Sequence, residues 1–231
     1  MNMNVTEYLD KNFPGLQLIP SIYKQWPIGI HFLLGEGIYQ FDEKGKLRLK
    51  RFEKAYQQAW TIFNELFDQE DDLILVTNVY LQKQQQIQKV KVYQPNLRDK
   101  NNLNKLNVET HPYPFDPDEK EGYEMQRFSL HCQVKDVRVE HILKAAINED
   151  FPPLKPRFAR NGADYPDVFF VNATRDIILF IYDDRGCEVI ANKADKLQPL
   201  YQKYAHWVDD FEKEQIAKNL GLPPNNDFSK S

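Results

Sequence analysis

An α+β fold, a mostly antiparallel sheet with helices packed on it, is predicted by three observations. Residues 50–68 repeat apolar side chains at helical spacing. Residues 168–191 hold three short apolar runs separated by turn residues, the pattern of a C-terminal three-stranded meander followed by helices. The chain has 231 residues, 42% of them hydrophobic and 13% aromatic, which is enough to bury a core without disulfide or metal staples.

The elements follow in order. Residues 4–13 read as a short helix with Tyr8, Leu9 and Phe13 on one side, ended by Pro14-Gly15. Pro20 and Pro27 bracket a segment carrying Ile22, Tyr23 and Trp26. Strands are expected at Ile28 to Leu34 and at Ile38 to Phe41, and Asp42-Glu43-Lys44-Gly45 forms a turn with a left-handed glycine. In the 50–68 helix, Phe52, Tyr56, Ala59, Trp60, Phe63 and Leu66 should be buried, with Glu53, Lys54, Gln57 and Gln58 on the other face. Leu73 to Tyr80 is a β-branched and aromatic strand. Residues 82–122 are rich in Gln, Asn and Pro and read as a polar insertion or connector within one domain over residues 1–222. Tyr123 to Val134 alternates as a strand, with Met125, Phe128, Leu130 and Cys132 as the inward set. Asp136 is placed to cap a helix over 137–149 that buries Val139, Ile142, Leu143, Ala146 and Ile147. After the meander, Leu197, Leu200, Tyr201 and Tyr204 mark one helix; Val208, Phe211, Ile216 and Leu220 mark another, ending at Gly221. Residues 223–231 are expected to be a loose tail.

Composition narrows function. A formal net charge of −4 without a block of positive charge argues against nucleic acid as a partner. No apolar run approaches ~18 residues, so no membrane span is expected. The first ten residues lack a signal peptide's basic and apolar regions, and the two cysteines, Cys132 and Cys187, suit a reducing cytoplasm. No cofactor-binding motif is present: Gly35-Glu36-Gly37 lacks the third glycine of a dinucleotide loop.

Candidate chemistry centres on Tyr182-Asp183-Asp184-Arg185-Gly186-Cys187-Glu188. Asp183, Asp184 and Glu188, with Asp167 nearby, offer carboxylates for a divalent metal, which would make a metal-dependent hydrolase. Hairpin chemistry explains the same residues: an aspartate that bonds its own backbone, then a left-handed Gly186 whose replacement by alanine would cost roughly 1 kcal/mol. Arg185 would neutralise the carboxylates, so no bound metal is expected and no residue is assigned as catalytic. The five histidines show no ligand spacing; His31, inside a strand, is expected to point outward or to be hydrogen-bonded. Cys187 follows a turn glycine beside Arg185 and reads as core. The binding candidates are therefore Asp183, Asp184 and Arg185 in the turn, and Tyr201, Tyr204 and Trp207 at helical spacing near the C-terminus, since Tyr and Trp often anchor interfaces.

The runs Val168 to Asn172 and Ile177 to Ala191, then Leu200-Tyr201-Gln202-Lys203-Tyr204 and Trp207, resemble a bacterial family known as domain of unknown function 3885. The similarity is looser around Phe13 to Leu16, Gly29 to Phe32, Leu34-Gly35 and Leu73 to Val76. The resemblance implies a small bacterial cytosolic protein and supplies no catalytic residue. Together with the missing catalytic motifs, it leaves a non-catalytic module that binds another bacterial protein, in an immunity or antitoxin-like role, as the first expectation. The hydrolase built on Asp183, Asp184 and Glu188 is the alternative.

Overall fold

The computed structural model describes residues 4–83, 92–116, 118, 121–158 and 165–223. Seven strands form a single sheet in which every neighbouring pair is antiparallel: β1 (Gly29–Leu33), β2 (Asp72–Gln82), β3 (Asn107–Pro112), β4 (Tyr123–Gln133), β5 (Asp167–Asn172), β6 (Ile177–Asp183) and β7 (Gly186–Ala191), in the order β1-β7-β6-β5-β2-β4-β3. The helices are α1 (Val5–Asn12), α2 (Ile22–Gln25), α3 (Leu49–Leu66), α4 (Tyr93–Asn96), α5 (Val139–Ile147), α6 (Gln198–Tyr204) and α7 (Asp210–Asn219). The α+β architecture, the meander and the helices after it are as the sequence predicts.

Period-two alternation divides the core between the two faces of the sheet. Leu73 and Leu75 of β2, Phe170 of β5, Leu179 of β6 and Val189 of β7 face α3, α5 and α6. Ile74 and Val76, Phe169, Phe180 and Ile190 face α1 and the segment that follows it, through Tyr8, Leu9, Phe13 and Leu18. A capping box starts α1: Asn4 Oδ1 accepts from Thr6 N at 3.0 Å and Glu7 Oε2 from Asn4 N at 3.4 Å.

Several expectations change. Residues 38–41 join no sheet strand; Phe41 bridges only to Leu47, and the Ile38 carbonyl accepts from Arg51 Nη1 at 2.8 Å instead of from a neighbouring strand. Residues 40–48 thereby fold back on themselves as a small ribbon, with Asp42 N bonded to Lys46 O and Arg48 N to Gln40 O. Gly45, at its tip, is left-handed as expected. On α3 the buried stripe is Phe52, Ala55, Ala59, Ile62, Phe63 and Leu66, while Trp60 is 37% exposed and Tyr56 half-buried. At 100° per residue Trp60 lies about 110° from the centre of that stripe. Arg51 and Gln58, on the opposite flank, are buried because residues 33–38 fold over them. Phe211 is exposed rather than core.

On β4 the inward set splits by parity: Phe128 and Leu130 join the α3 side, whereas Met125 falls on the α1 side with Arg127. Asp136 does not cap α5; its carboxylate accepts from Gln133 N at 2.9 Å within a preceding 3₁₀ turn, and the N-cap position falls to Arg138, whose side chain makes no capping bond. Within the polar 82–122 segment, residues 107–112 form edge strand β3 against β4; residues 84–91, 117, 119 and 120 lie outside the described residues. The tail expected at 223–231 lies, apart from Pro223, outside them as well. Among the described residues no helix is long and apolar enough to cross a membrane.

Candidate functional site

The β6–β7 hairpin reverses through Asp184 and Arg185, and its two sides are unequal. Ile181 pairs with Cys187 and Asp183 with Gly186, so Tyr182 is an extra residue, a β-bulge. The bulge redirects the Tyr182 side chain across Gly186 toward β1. Gly186 is not left-handed, which corrects the turn expected there. It is needed for close approach: a Cβ at this position would overlap the Tyr182 hydroxyl and lie 2.7 Å from the Phe32 carbonyl oxygen. Gly186→Ala is therefore expected to cost about 1–3 kcal/mol by overpacking, more than turn strain alone. Thermal unfolding checks this, and an unchanged melting temperature would remove the close-approach argument.

The carboxylates of this motif diverge. Asp183 Oδ1 accepts from Arg185 N at 2.7 Å, the backbone-capping role expected of a turn aspartate, and its Oδ2 pairs with the Arg185 guanidinium. Asp184, only 2% exposed, turns toward α3 and takes Arg51 Nε at 2.6 Å and Gln40 Nε2 at 3.2 Å. Arg51 uses its remaining donors on the carbonyls of Leu34, Gly35, Ile38 and Asp184. The tip of the hairpin, the start of α3 and the 34–38 segment are tied at this one buried ion pair. Glu188 projects from the other face of the sheet, where its Oε2 accepts from Tyr23 N at 3.3 Å; burial holds its carboxyl above the usual range. Asp167 accepts from the Tyr80 hydroxyl at 2.5 Å and is pushed up to about 7 by burial. Glu149, not singled out from sequence, is raised to about 8 by burial and then by Asp150, Asp167 and Asp183. Among the described residues no three His, Cys, Asp or Glu side chains are placed to hold a metal ion.

His31 is hydrogen-bonded on both sides, Nδ1 to Glu212 Oε2 and Nε2 to the Tyr182 hydroxyl, each at 2.9 Å. A Glu–His–Tyr chain has the connectivity of an activated nucleophile. Burial, with help from Asp183, instead raises the Tyr182 hydroxyl, the opposite of activation. The contact fastens α7 to edge strand β1. Cys187 is fully buried and its thiol pushed up by burial, as a core residue should be.

The aromatic candidates fall elsewhere. Tyr201 is fully buried, its hydroxyl donating to Lys213 O at 2.8 Å, and Tyr204 donates to Glu65 Oε1 at 2.9 Å. Trp207, half-buried, stacks on Tyr204 with ring centroids 4.7 Å apart. The structure thus joins Asp183 to Arg185 and Tyr204 to Trp207. Of the six candidates Arg185 is the most open, with 65% of its side chain accessible.

An exposed apolar group that sequence reading missed lies on the 40–48 ribbon and its flanks. Tyr39 is 80% exposed, Leu49 57% and Phe41 49%. The Phe41–Leu47 pairing, continued by two residues, sets Tyr39 opposite Leu49. Around them stand exposed Lys44, Lys46, Arg48 and Lys50, with exposed Glu43 and half-buried Asp42 among them, a segment with a small net positive charge on an acidic chain.

The family model described as "Domain of unknown function (DUF3885)" matches residues 5–212, and the chain belongs to that family. A relative, "Uncharacterized protein YnaE" of Bacillus subtilis (strain 168), is 56% identical over 211 residues, covering 90% of this chain and 99% of that protein. No solved structure matches the chain.

Proposed function

We propose that this member of the family is a non-catalytic module that binds another bacterial protein through the 39–49 ribbon. The observation that carries this reading is the exposed Tyr39, Phe41 and Leu49 group. Large apolar side chains gathered at the surface mark contact sites, and aromatic residues are favoured anchors. The ribbon is held for that role by Arg51 and Asp184, which makes the acidic turn a support for the surface. The surrounding lysines and Arg48 favour an acidic partner, opposite in sign to the basic one that net charge alone suggests. An immunity or antitoxin-like role in the cytoplasm is the finer form of the proposal. Strands from both halves of the chain sharing one sheet support treating residues 1–222 as one domain.

The hydrolase alternative draws on Asp183, Asp184 and Glu188, yet each is engaged by donors of its own chain, and Glu188 lies across the sheet from the pair. Site-specific photocrosslinking in the native bacterium decides between the readings. A crosslinker at Tyr39 should give a discrete adduct with a second protein, lost on Lys46→Glu with Lys50→Glu and absent from a crosslinker at Gln57. No adduct at Tyr39, or the same adduct from Gln57, would overturn the surface. A stoichiometric divalent ion lost in Asp183→Asn would establish the hydrolase reading instead.

A further inference from the structure

At the far edge of the sheet from β1, the α1 side of β3 and β4 holds a cavity of about 370 Å³. Leu9, Leu16, Leu18 and Met125 supply its apolar wall, and Arg127 and His111 also line it. Arg127 is 7% exposed. Its Nε donates to Asn78 Oδ1 at 3.0 Å and its Nη2 to Leu18 O at 2.9 Å, both neutral acceptors. Among the described residues it forms no ion pair and its Nη1 has no hydrogen bond.

A buried guanidinium without a direct ion pair is unusual, because removing a charge from water is costly unless an opposite charge receives it in contact. The cross-strand neighbour of Arg127 is Glu109, whose charge acts on the guanidinium without forming a direct ion pair with it. Glu109 Oε1 accepts from Asn4 Nδ2 at 2.7 Å, and its Oε2 lies 3.8 Å from His111 Nε2, beyond hydrogen-bond reach. Both of those facing atoms are buried without a hydrogen-bond partner, so the polar floor of the region is incompletely satisfied. Burial and the Arg127 charge keep the His111 imidazole below its usual pKa, and a neutral ring adds no second cation.

We infer that this cavity is a binding site for a small carboxylate with an apolar tail. The carboxylate pairs with Arg127 through the free Nη1, supplying the direct ion pair that Glu109 does not make, and the tail lies against Leu9, Leu16, Leu18 and Met125. The volume is at the lower end of the range for small-molecule sites, which fits a ligand of modest size. One charged anchor with apolar walls selects for a single anionic group; a phosphate, with more charge to satisfy, would find only one cation. Asp10 lies exposed at the rim and opposes an anion at long range. Arg127 also clasps the 16–19 segment through the Leu18 carbonyl, so a purely structural arginine is the competing account.

The two accounts separate in a titration of the full chain with ¹³C-labelled leucine and methionine methyl groups. The probes are 4-methylpentanoate, its uncharged isostere 4-methylpentanamide, and inorganic phosphate. The carboxylate should shift the methyl signals of Leu9, Leu16, Leu18 and Met125 saturably, with the amide at least roughly tenfold weaker and phosphate without effect. Asp10→Asn, on the exposed rim, should tighten carboxylate binding roughly two- to threefold. Arg127→Gln should abolish the response where the variant retains its fold. Where it does not fold, the amide comparison and Asp10→Asn decide. No saturable shift to about 10 mM carboxylate, equal binding of the amide, or shifts confined to other methyl groups would overturn the site.

Discussion

Arg51→Ala is expected to destabilise the protein by about 3–5 kcal/mol, because it leaves the Asp184 carboxylate buried without its cation. Asp184 is 2% exposed and Arg51 6%, so water cannot restore the lost partner without opening the structure. The loss also strands acceptors: the carbonyls of Leu34, Gly35 and Ile38 all receive guanidinium hydrogens. Asp184→Ala should cost a similar amount, and the double variant less than the sum of the two, since with both charges removed neither is left unpaired. Urea unfolding of the three variants measures this. Strict additivity, or a cost below about 1 kcal/mol for Arg51→Ala, would mean the pair is not the tie it is described as. Amide hydrogen exchange adds a local readout. In Arg51→Ala, protection should be lost first across residues 35–48, the segment whose exposed side chains carry the proposed contact.

Much of the fold was legible because it rests on period and punctuation. The apolar runs Val168 to Val171 and Ile177 to Ile181 have few alternatives to buried strands, and Asp176 and Asp184-Arg185 turn the chain between neighbouring strands. The α3 helix was equally plain. Less visible were elements whose stability comes from a distant partner. Edge strand β3, with Asn107, Glu109, Thr110 and His111, has little apolar content; its pairing with β4 makes it a strand. Conversely, Ile38 to Phe41 has strand-like residues, but a guanidinium from α3 takes its carbonyl.

The site was legible in outline only. Asp183 does cap its own turn, as local chemistry requires, because that interaction spans two residues. The partner of Asp184 lies 133 positions away, and no local spacing points to it. The same holds for His31, whose two partners, Tyr182 and Glu212, come from a bulged strand and a late helix. Arg51 did carry a faint signal, a basic residue directly preceding the apolar stripe of α3. Gly186 shows how a correct residue preference can have the wrong cause: glycine is required, though for the room it leaves to Tyr182 and the Phe32 carbonyl.

The helix on which the core is built offers the sharpest contrast between two aromatic residues that sequence treats alike. By spacing alone Phe63 and Trp60 both fall on the apolar side of α3, yet Phe63 is 1% exposed and Trp60 37%. Phe63 stacks on Phe67 with centroids 4.3 Å apart and meets Phe170 of β5 edge-on at 5.4 Å, so it joins the helix to the centre of the sheet. Trp60 touches this group from outside, stacked on Phe63 at 6.1 Å. Phe63→Ala should therefore cost about 3–5 kcal/mol, from lost burial and from a cavity that the flanking rings and strands cannot collapse to fill. Trp60→Ala should cost less, about 1–2 kcal/mol, although it deletes the larger side chain, because more than a third of that residue already faces water and its loss opens no enclosed cavity. Urea unfolding of the two variants under identical conditions tests the difference. Equal costs would mean that α3 is rotated toward Trp60, and the assignment of Phe52, Ala59, Phe63 and Leu66 to the sheet-facing stripe would fall with it.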